Sequence, residues 1–199
     1  MEAASDPSMK PVAGGNLQEV HPDLERVLFT EEEIHARVRE VAAEISSDYA
    51  GRELTLISVL RGSVFFLTDL ARALAESLPT RLDFLSVSPF PLHAEPGVVR
   101  ISKDLDESIA DAEVLLVEDI VDTGLTLRYL LKSLASRGPR SLQVCTFLDK
   151  TPRRLVDVPI RYRCFEIPDR FVVGYGLDYH QLYRNLPYVG VLKAEVFRG

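Results

Sequence analysis

The feature that most constrains this fold is an alternation of short, nearly continuous apolar runs with segments of helical periodicity. The runs Leu54–Leu60 and Val114–Val117 have the length of strands and almost no polar positions. Strands that are apolar on both faces are typical of parallel sheets that helices cover on both sides. Strands are predicted at Leu54–Leu60, Arg81–Val87, Val98–Ser102, Val114–Glu118, Leu142–Leu148 and Phe171–Tyr175. The sequence therefore predicts an α/β fold built on a parallel sheet.

Three helices are predicted between these strands. Thr30 and Glu33 have the spacing of a capping box, and apolar residues then recur at helical spacing until Gly51. The second helix is predicted from Val64 to Ser77 and the third from Leu125 to Ser136. These helices supply the layers that a parallel sheet needs.

The first 26 residues differ from the rest of the chain. They are rich in proline and glycine and have little periodicity, which is typical of a loosely packed segment. We therefore expect a flexible N-terminal tail over residues 1–26, followed by a single domain over residues 27–199.

Charge and composition exclude several classes of function. A net charge of −7 argues against broad nucleic-acid binding, which depends on positive charge meeting phosphate. No apolar stretch approaches the length of a membrane span, and the N-terminus lacks the basic start and apolar core of a secretory signal. The two cysteines, Cys145 and Cys164, form no CxxC motif. We expect a cytoplasmic protein with reduced cysteines.

One motif carries most of the chemistry. The strand that ends in Glu118 and Asp119 is followed by Asp122 and then by a loop that runs directly into a helix. In open parallel sheets, ligands bind beyond the carboxyl ends of the strands. The loop amides, two hydroxyls and the helix N-terminus form a cradle for one phosphate, made of Thr123, Gly124, Leu125 and Thr126. The alternative interpretation is a solvated acidic strand end before a capped helix.

Two better-known phosphate motifs are absent from the sequence. No GxxxxGK[ST] pattern occurs, so a triphosphate held by a lysine is not indicated. Gly174-Tyr175-Gly176 lacks the third glycine of a dinucleotide fingerprint. The motif therefore indicates a small phosphate site of another kind.

The segment Val117–Thr126 resembles the phosphoribosyl pyrophosphate signature of phosphoribosyltransferases. The rest of the chain resembles the hypoxanthine-guanine branch of that family, over about Leu28 to Val196. The supporting segments are Ile57–Ser63, Leu148–Pro152, Ile167–Tyr179 and Tyr183–Tyr188. The resemblance implies a parallel-sheet fold flanked by helices, with a small hood from the C-terminal segment. It also implies transfer of a 5-phosphoribosyl group from its pyrophosphate donor to a 6-oxopurine, hypoxanthine or guanine.

The resemblance assigns the carboxylates and the loop. Glu118 and Asp119 would contact the ribose hydroxyls and be available to Mg²⁺, while Asp122 would lie beside purine N7 as general acid/base. The loop residues Thr123, Gly124, Leu125 and Thr126 would bind the 5-phosphate.

The resemblance also assigns the pyrophosphate contacts. Arg61 and Gly62 match a pyrophosphate loop that contains a cis peptide bond, here between Leu60 and Arg61. Asp178 would hold a second Mg²⁺ on pyrophosphate, and Arg184 would be a cation over the same group. From the residues alone, Arg61-Gly62 is a plain turn, and Asp178 with Arg184 is a solvated surface pair.

Three residues would bind the purine. Lys150 would donate to purine O6, Phe171 would stack on the base, and Val172 would offer backbone groups to the purine edge. Without the resemblance, Lys150 is a surface lysine and Phe171 a core residue.

The sequence departs from the family in a loop between Asp83 and Lys103. Pro89 and Phe90 stand where the family has a Ser-Tyr pair that closes over the reaction. Proline lacks the backbone N–H, so we expect altered closure of a mobile lid over about residues 88–102.

Two functions from different classes follow. The first is a Mg²⁺-dependent purine salvage transferase whose partners are phosphoribosyl pyrophosphate and a 6-oxopurine, without nucleic acid or membrane. The second is a regulator with the same fold that senses the donor or a nucleotide. Retention of Asp122, Lys150, Asp178 and Arg184 favours the enzyme. The family forms homodimers and homotetramers, which we expect here as well.

Overall fold

A computed structural model describes residues 20–89 and 99–197 of the chain. Within these residues, the strands of the central sheet are β2 (Leu54–Leu60), β3 (Thr80–Pro89), β4 (Val99–Lys103), β5 (Glu113–Val121), β6 (Ser141–Asp149) and β7 (Tyr162–Glu166). These six described strands lie in the order β4-β3-β2-β5-β6-β7. All neighbouring pairs are parallel except β3 with β4, which is antiparallel. The predicted α/β fold is confirmed, with one antiparallel edge strand added to the parallel sheet.

Helices cover both faces of this sheet, as predicted. They are α1 (Glu31–Asp48), α2 (Ser63–Ala73) and α3 (Leu125–Ala135), and a single 3-10 turn covers Thr151–Arg153. Leu115 and Val117 of β5 belong to the core that contains α1 and α2, whereas the alternate residues Val114 and Leu116 pack with α3. Residues 114–117 of β5 are all apolar because each of the two faces of this strand is buried against a different layer.

The predicted start of α1 is also confirmed. The Thr30 hydroxyl accepts a hydrogen bond from the Glu33 amide, and the Glu33 carboxylate accepts one from the Thr30 amide. This reciprocal cap fixes where the chain enters the first helix.

A second sheet lies outside the parallel one. It is antiparallel, in the order β1-β9-β8, with β1 at Leu24–Phe29, β8 at Val172–Val173 and β9 at Val189–Leu192. A short helix, α4 (Ala194–Phe197), follows β9. This sheet forms the predicted hood, and it also takes in a strand from the beginning of the domain.

Two sequence predictions need correction here. Phe171–Tyr175 is not a strand of the parallel sheet, because only Val172–Val173 pair, and they pair with β9. The run ends at Gly174, which has φ of 100° and where a Cβ would lie 2.0 Å from the Tyr188 carbonyl oxygen. The outer parallel strand is instead β7. Residues 24–26 of the expected tail belong to β1, so the first strand of the domain begins before the predicted boundary at residue 27.

The predicted lid has paired strands at both of its ends. β3 continues through Pro89 and pairs with β4, with Ser88 opposite Arg100 and Val87 opposite Ile101. At both ends of the predicted lid, the described residues therefore pair as antiparallel strands. Phe90 and the rest of the loop lie outside the described residues. None of the described helices is long and apolar enough to cross a membrane.

Candidate active site

A cavity of about 340 Å³ lies at the carboxyl ends of β2 and β5. It is lined by the end of β2 and the turn after it, by Val87 of β3, by the end of β5 with the loop to α3, and by the segment before β9. It brings together ten of the predicted site residues, which are Arg61, Gly62, Glu118, Asp119, Asp122, Thr123, Gly124, Thr126, Asp178 and Arg184. Leu125 begins α3 and does not line it. The predicted donor residues, apart from Leu125, therefore share one cavity.

A second cavity, of about 240 Å³, adjoins the first. Lys150, Phe171 and Val172 line it, so the three predicted purine contacts lie together. Asp119 and Asp178 line both cavities. The site therefore has two compartments that meet at a pair of carboxylates.

Gly62 packs directly against the Asp119 side chain at this junction. A Cβ on Gly62 would lie 1.7 Å from Oδ2 of Asp119 and 3.2 Å from the Gly176 carbonyl oxygen. The Leu60–Arg61 peptide bond just before it is cis, as the resemblance implies. Only a residue without a side chain lets the turn after β2 approach the end of β5 this closely.

The loop before α3 has the geometry of a phosphate cradle. Gly124 has φ of 82° in the left-handed region, and α3 starts at the next residue. The Thr123 carbonyl accepts hydrogen bonds from the amides of Leu155 and Val156, which fasten the loop from behind. The first amides of a helix attract an anion, so the start of α3 suits the phosphate contact that the sequence predicts for this loop.

Burial raises the pKa of both adjacent carboxyls. The pKa of Glu118 lies well above its usual range because the group is buried and the charge of Asp119 is close. Burial raises the pKa of Asp119 to about 6, although hydrogen bonds from backbone amides and the nearby Arg184 act in the opposite direction. Ionising these carboxyls without a ligand is therefore costly.

This cost predicts a stabilising effect of neutral substitutions. Because its pKa is raised, the Asp119 carboxyl holds its proton more tightly in the folded protein than in the unfolded chain. The loss of folding stability caused by ionising it is therefore absent below about pH 4 and complete above about pH 6. In the absence of donor and divalent metal, Asp119→Asn should stabilise the protein by about 1–3 kcal/mol at about pH 7.5 and by almost nothing at about pH 4. Thermal unfolding at both pH values measures this.

The control for this prediction is Asp157→Asn, which changes an exposed aspartate that lines neither cavity. A gain for Asp119→Asn that is equal at both pH values would contradict the electrostatic explanation.

Asp122 is held by arginines that the sequence analysis did not single out. Nε of Arg153 lies 3.3 Å from Oδ1 of Asp122, and Nε of Arg154 donates to the Asp122 carbonyl at 3.2 Å. Arg154 also pairs with Asp149 at the end of β6. The sequence does show two adjacent arginines shortly after Lys150. Their contact with Asp122 could not be predicted from it, because the contact depends on the pairing of β5 with β6.

The purine-side residues differ from their plain sequence interpretation. Lys150 is not a surface lysine: it is 7% exposed, and its Nζ lies 3.9 Å from Oδ1 of Asp169. Phe171 is not a core residue: it is 37% exposed, with its ring stacked on Phe197. A buried cation and an accessible ring are suited to a flat heterocycle with a polar acceptor.

Arg184, which lines the first cavity, has two partners close to it in the chain. Arg184 forms an ion pair with Asp178 at 2.7 Å and donates to the Gly176 carbonyl at 2.6 Å. These contacts hold the guanidinium at the cavity wall.

The donor set fits Mg²⁺ bound together with a phosphorylated substrate. Within residues 20–89 and 99–197, no three His, Cys, Asp or Glu side chains are grouped so that they could hold a metal ion. Mg²⁺ is commonly held by one or two carboxylates together with substrate phosphates and water, and Asp119 and Asp178 offer such carboxylates.

Comparisons with known proteins agree with this geometry. The family model described as phosphoribosyl transferase domain matches residues 28–180. A curated relative, hypoxanthine-guanine phosphoribosyltransferase of Mycobacterium avium, is 49% identical over 188 residues, covering 90% of this chain and 92% of the relative. The match to the family model defines the chain as a phosphoribosyl transferase domain protein.

Two solved structures are similar over most of their length. Hypoxanthine phosphoribosyltransferase from Staphylococcus aureus has a TM-score of 0.83 at 44% identity, covering 88% of this chain and 95% of that one. The enzyme from Trypanosoma cruzi, a mutant in a ternary complex with substrates, has a TM-score of 0.86 at 45% identity, covering 89% and 100%. This chain belongs to the hypoxanthine-guanine phosphoribosyltransferase family.

Proposed function

We propose that this protein transfers the 5-phosphoribosyl group of phosphoribosyl pyrophosphate to a 6-oxopurine, hypoxanthine or guanine, and releases pyrophosphate. The observation that carries the proposal is the pair of adjoining cavities, one with a phosphate cradle and two arginines, the other with an aromatic ring and a buried lysine. Two substrates placed in them would meet at Asp119 and Asp178.

The donor is assigned to the first cavity. The 5-phosphate lies in the cradle of Thr123, Gly124, Leu125 and Thr126, where Leu125 contributes its backbone at the start of α3. Glu118 and Asp119 accept hydrogen bonds from the ribose hydroxyls. Arg61, the amide of Gly62 and Arg184 face the pyrophosphate. This orientation points the ribose C1′ toward the second cavity.

The purine is assigned to the second cavity. Phe171 stacks on the ring, Val172 offers its backbone to the ring edge, and the Lys150 ammonium donates to O6. Because a 6-aminopurine has no acceptor at that position, a buried lysine left unpaired there costs binding free energy. The site should therefore select 6-oxopurines.

The reaction breaks the bond between C1′ and the pyrophosphate oxygen and forms a bond from purine N9 to C1′. Positive charge develops on the ribose as the first bond breaks, and carboxylates beside the ring offset it. Asp122 beside N7 takes up the proton that the imidazole ring loses as N9 attacks. When bound, Mg²⁺ would neutralise charge on the leaving pyrophosphate, with Asp178, Asp119 and Glu118 available to hold it.

Replacing Asp178 by asparagine tests the metal assignment. A carboxylate is a preferred ligand of Mg²⁺, and losing a charge-assisted contact of roughly 1.4 kcal/mol corresponds to about tenfold in affinity. We expect the Mg²⁺ concentration for half-maximal activity to rise about tenfold. Titrating activity with Mg²⁺ at saturating donor and base measures this, and an unchanged requirement would remove Asp178 from the metal site.

The proposed function itself is tested by product balance. The protein is incubated with donor, Mg²⁺ and hypoxanthine, and the nucleoside monophosphate and pyrophosphate are quantified. The proposal expects the two products in equal amounts. Binding of the donor without any nucleotide would favour the regulator instead.

The expected cytoplasmic location and the expected homodimer or homotetramer stay predictions. Sedimentation of the purified protein with and without donor measures the second of these.

A further inference from the structure

The turn between Asp178 and Arg184 has an unusual backbone. His180, Gln181 and Tyr183 have φ values of 51°, 66° and 74°, in the left-handed region that side chains other than glycine rarely adopt. Hydrogen bonds between the backbones of Tyr179 and Leu182 close the turn. The chain therefore makes a tight reversal that brings residue 181 back toward the first cavity.

Gln181 contacts three of the predicted site residues, two in the donor site and one predicted to hold metal. Its Oε1 accepts a hydrogen bond from Nη1 of Arg61 at 3.1 Å and another from Nη2 of Arg184 at 3.2 Å. Its backbone amide donates to Oδ2 of Asp178 at 2.9 Å. One residue thus joins the turn after β2 to the turn that carries Asp178 and Arg184.

The two arginines depend on Gln181 to different degrees. Among the described residues, the Arg61 guanidinium has its one hydrogen bond with Gln181. Arg184 has further partners in Asp178 and the Gly176 carbonyl. Loss of the Gln181 side chain should therefore release Arg61 and leave Arg184 in place.

A neutral acceptor is suited to this position. Two guanidinium nitrogens at 3.1 and 3.2 Å from one oxygen lie at most about 6.3 Å apart, where like charges repel. An amide oxygen holds both groups without cancelling their charge, whereas a carboxylate would hold them and compete with an anionic ligand.

We propose that Gln181 is a positioning residue that holds Arg61 and Arg184 together as a clamp for pyrophosphate. This inference rests on the proposed function, which supplies the pyrophosphate. Gln181 acts through the two arginines, by fixing their side chains before the ligand arrives.

The experiment measures binding of inorganic pyrophosphate with Mg²⁺ by calorimetry, together with steady-state kinetics, for the whole chain. Gln181→Ala should weaken pyrophosphate binding and raise the KM for donor by about 5- to 10-fold, which lies within the range for the net contribution of one hydrogen bond. The KM for hypoxanthine should stay unchanged. Gln181→Glu should weaken pyrophosphate binding more than Gln181→Ala does, because the added charge opposes the ligand.

A double-mutant cycle separates positioning from general structural support. If Gln181 acts mainly through Arg61, Gln181→Ala should have almost no further effect on pyrophosphate binding in the Arg61→Ala background. Leu182→Ala is the matched control, since it changes an exposed side chain in the same turn. If Gln181→Ala does not fold, Gln181→Met keeps the side-chain length and removes the acceptor.

The outcomes distinguish this proposal from the proposed function. Nucleotide formation by the wild type together with unchanged pyrophosphate binding in Gln181→Ala overturns the positioning role alone. Fully additive effects of the Gln181 and Arg61 substitutions also overturn it, as does an equal rise of both KM values. Failure of the wild type to form nucleotide overturns the proposed function instead.

Discussion

Replacing Asp122 by asparagine is expected to lower kcat for phosphoribosyl transfer by about 10²-fold, the lower end of the range for loss of one general acid/base. The substitution keeps the shape of the side chain and removes its capacity to take a proton. Arg153 lies against Oδ1, and the residue lines the donor cavity next to the phosphate cradle. The KM for donor should change little because the amides of the cradle are untouched.

Rapid-quench measurement of a single turnover at saturating donor and hypoxanthine isolates the chemical step. Asp157→Asn is the matched control, since Asp157 is exposed and lines neither cavity. A single-turnover rate for Asp122→Asn equal to that of the wild type would remove Asp122 from the mechanism.

Replacing Lys150 by alanine is expected to weaken hypoxanthine binding by about 1–3 kcal/mol, because O6 then enters the cavity without its donor. This corresponds to roughly 5- to 150-fold in affinity. Lys150 is 7% exposed, so its contribution is made in a largely desolvated setting. Adenine binding should change much less, and discrimination against adenine should fall.

Titration of both bases into wild type and variant in the presence of donor measures this selectivity. Lys132→Ala serves as control because Lys132 is an exposed lysine in the last turn of α3. Equal hypoxanthine affinities for wild type and Lys150→Ala would mean that the lysine does not contact the base.

The sequence predicts the central layers of the fold because their signals are local. The apolar run of β5, the acidic residues after it and the start of α3 all lie within residues 113–135. Each half of that unit can be recognised without the rest of the chain, since burial on both faces favours an apolar run, and a glycine before the helix permits the positive φ that Gly124 adopts.

The second sheet could not be predicted in the same way. β1 pairs with β9 across at least 160 positions of the chain, and it carries Glu25 and Arg26. β8 has two residues, too few for any alternation to be read. The sequences of such short strands show too little alternation of apolar and polar residues to predict a strand. Their strand conformation depends on pairing with distant segments.

The candidate site shows the same division. The cradle and its carboxylates follow one strand, and their clustering follows from the sequence. Lys150 lies after β6 and Phe171 before β8, away from that strand in sequence. From residue type alone, the lysine is predicted at the surface and the phenylalanine in the core. Gln181 and Arg61 are 120 positions apart. The resemblance to a family assigned Lys150 and Phe171 to the site. The contact between Gln181 and Arg61 is seen only in the folded structure.

The central claim is transfer to a 6-oxopurine in preference to a 6-aminopurine, and one competition experiment tests it most directly. The protein is given donor and Mg²⁺ with equal concentrations of hypoxanthine and adenine, and the two nucleoside monophosphates are separated and quantified. A missing hydrogen-bond partner in a site built for one corresponds to a ratio of at least about 10² in favour of the 6-oxopurine product. Equal amounts of both products, or the adenine product alone, would contradict the account.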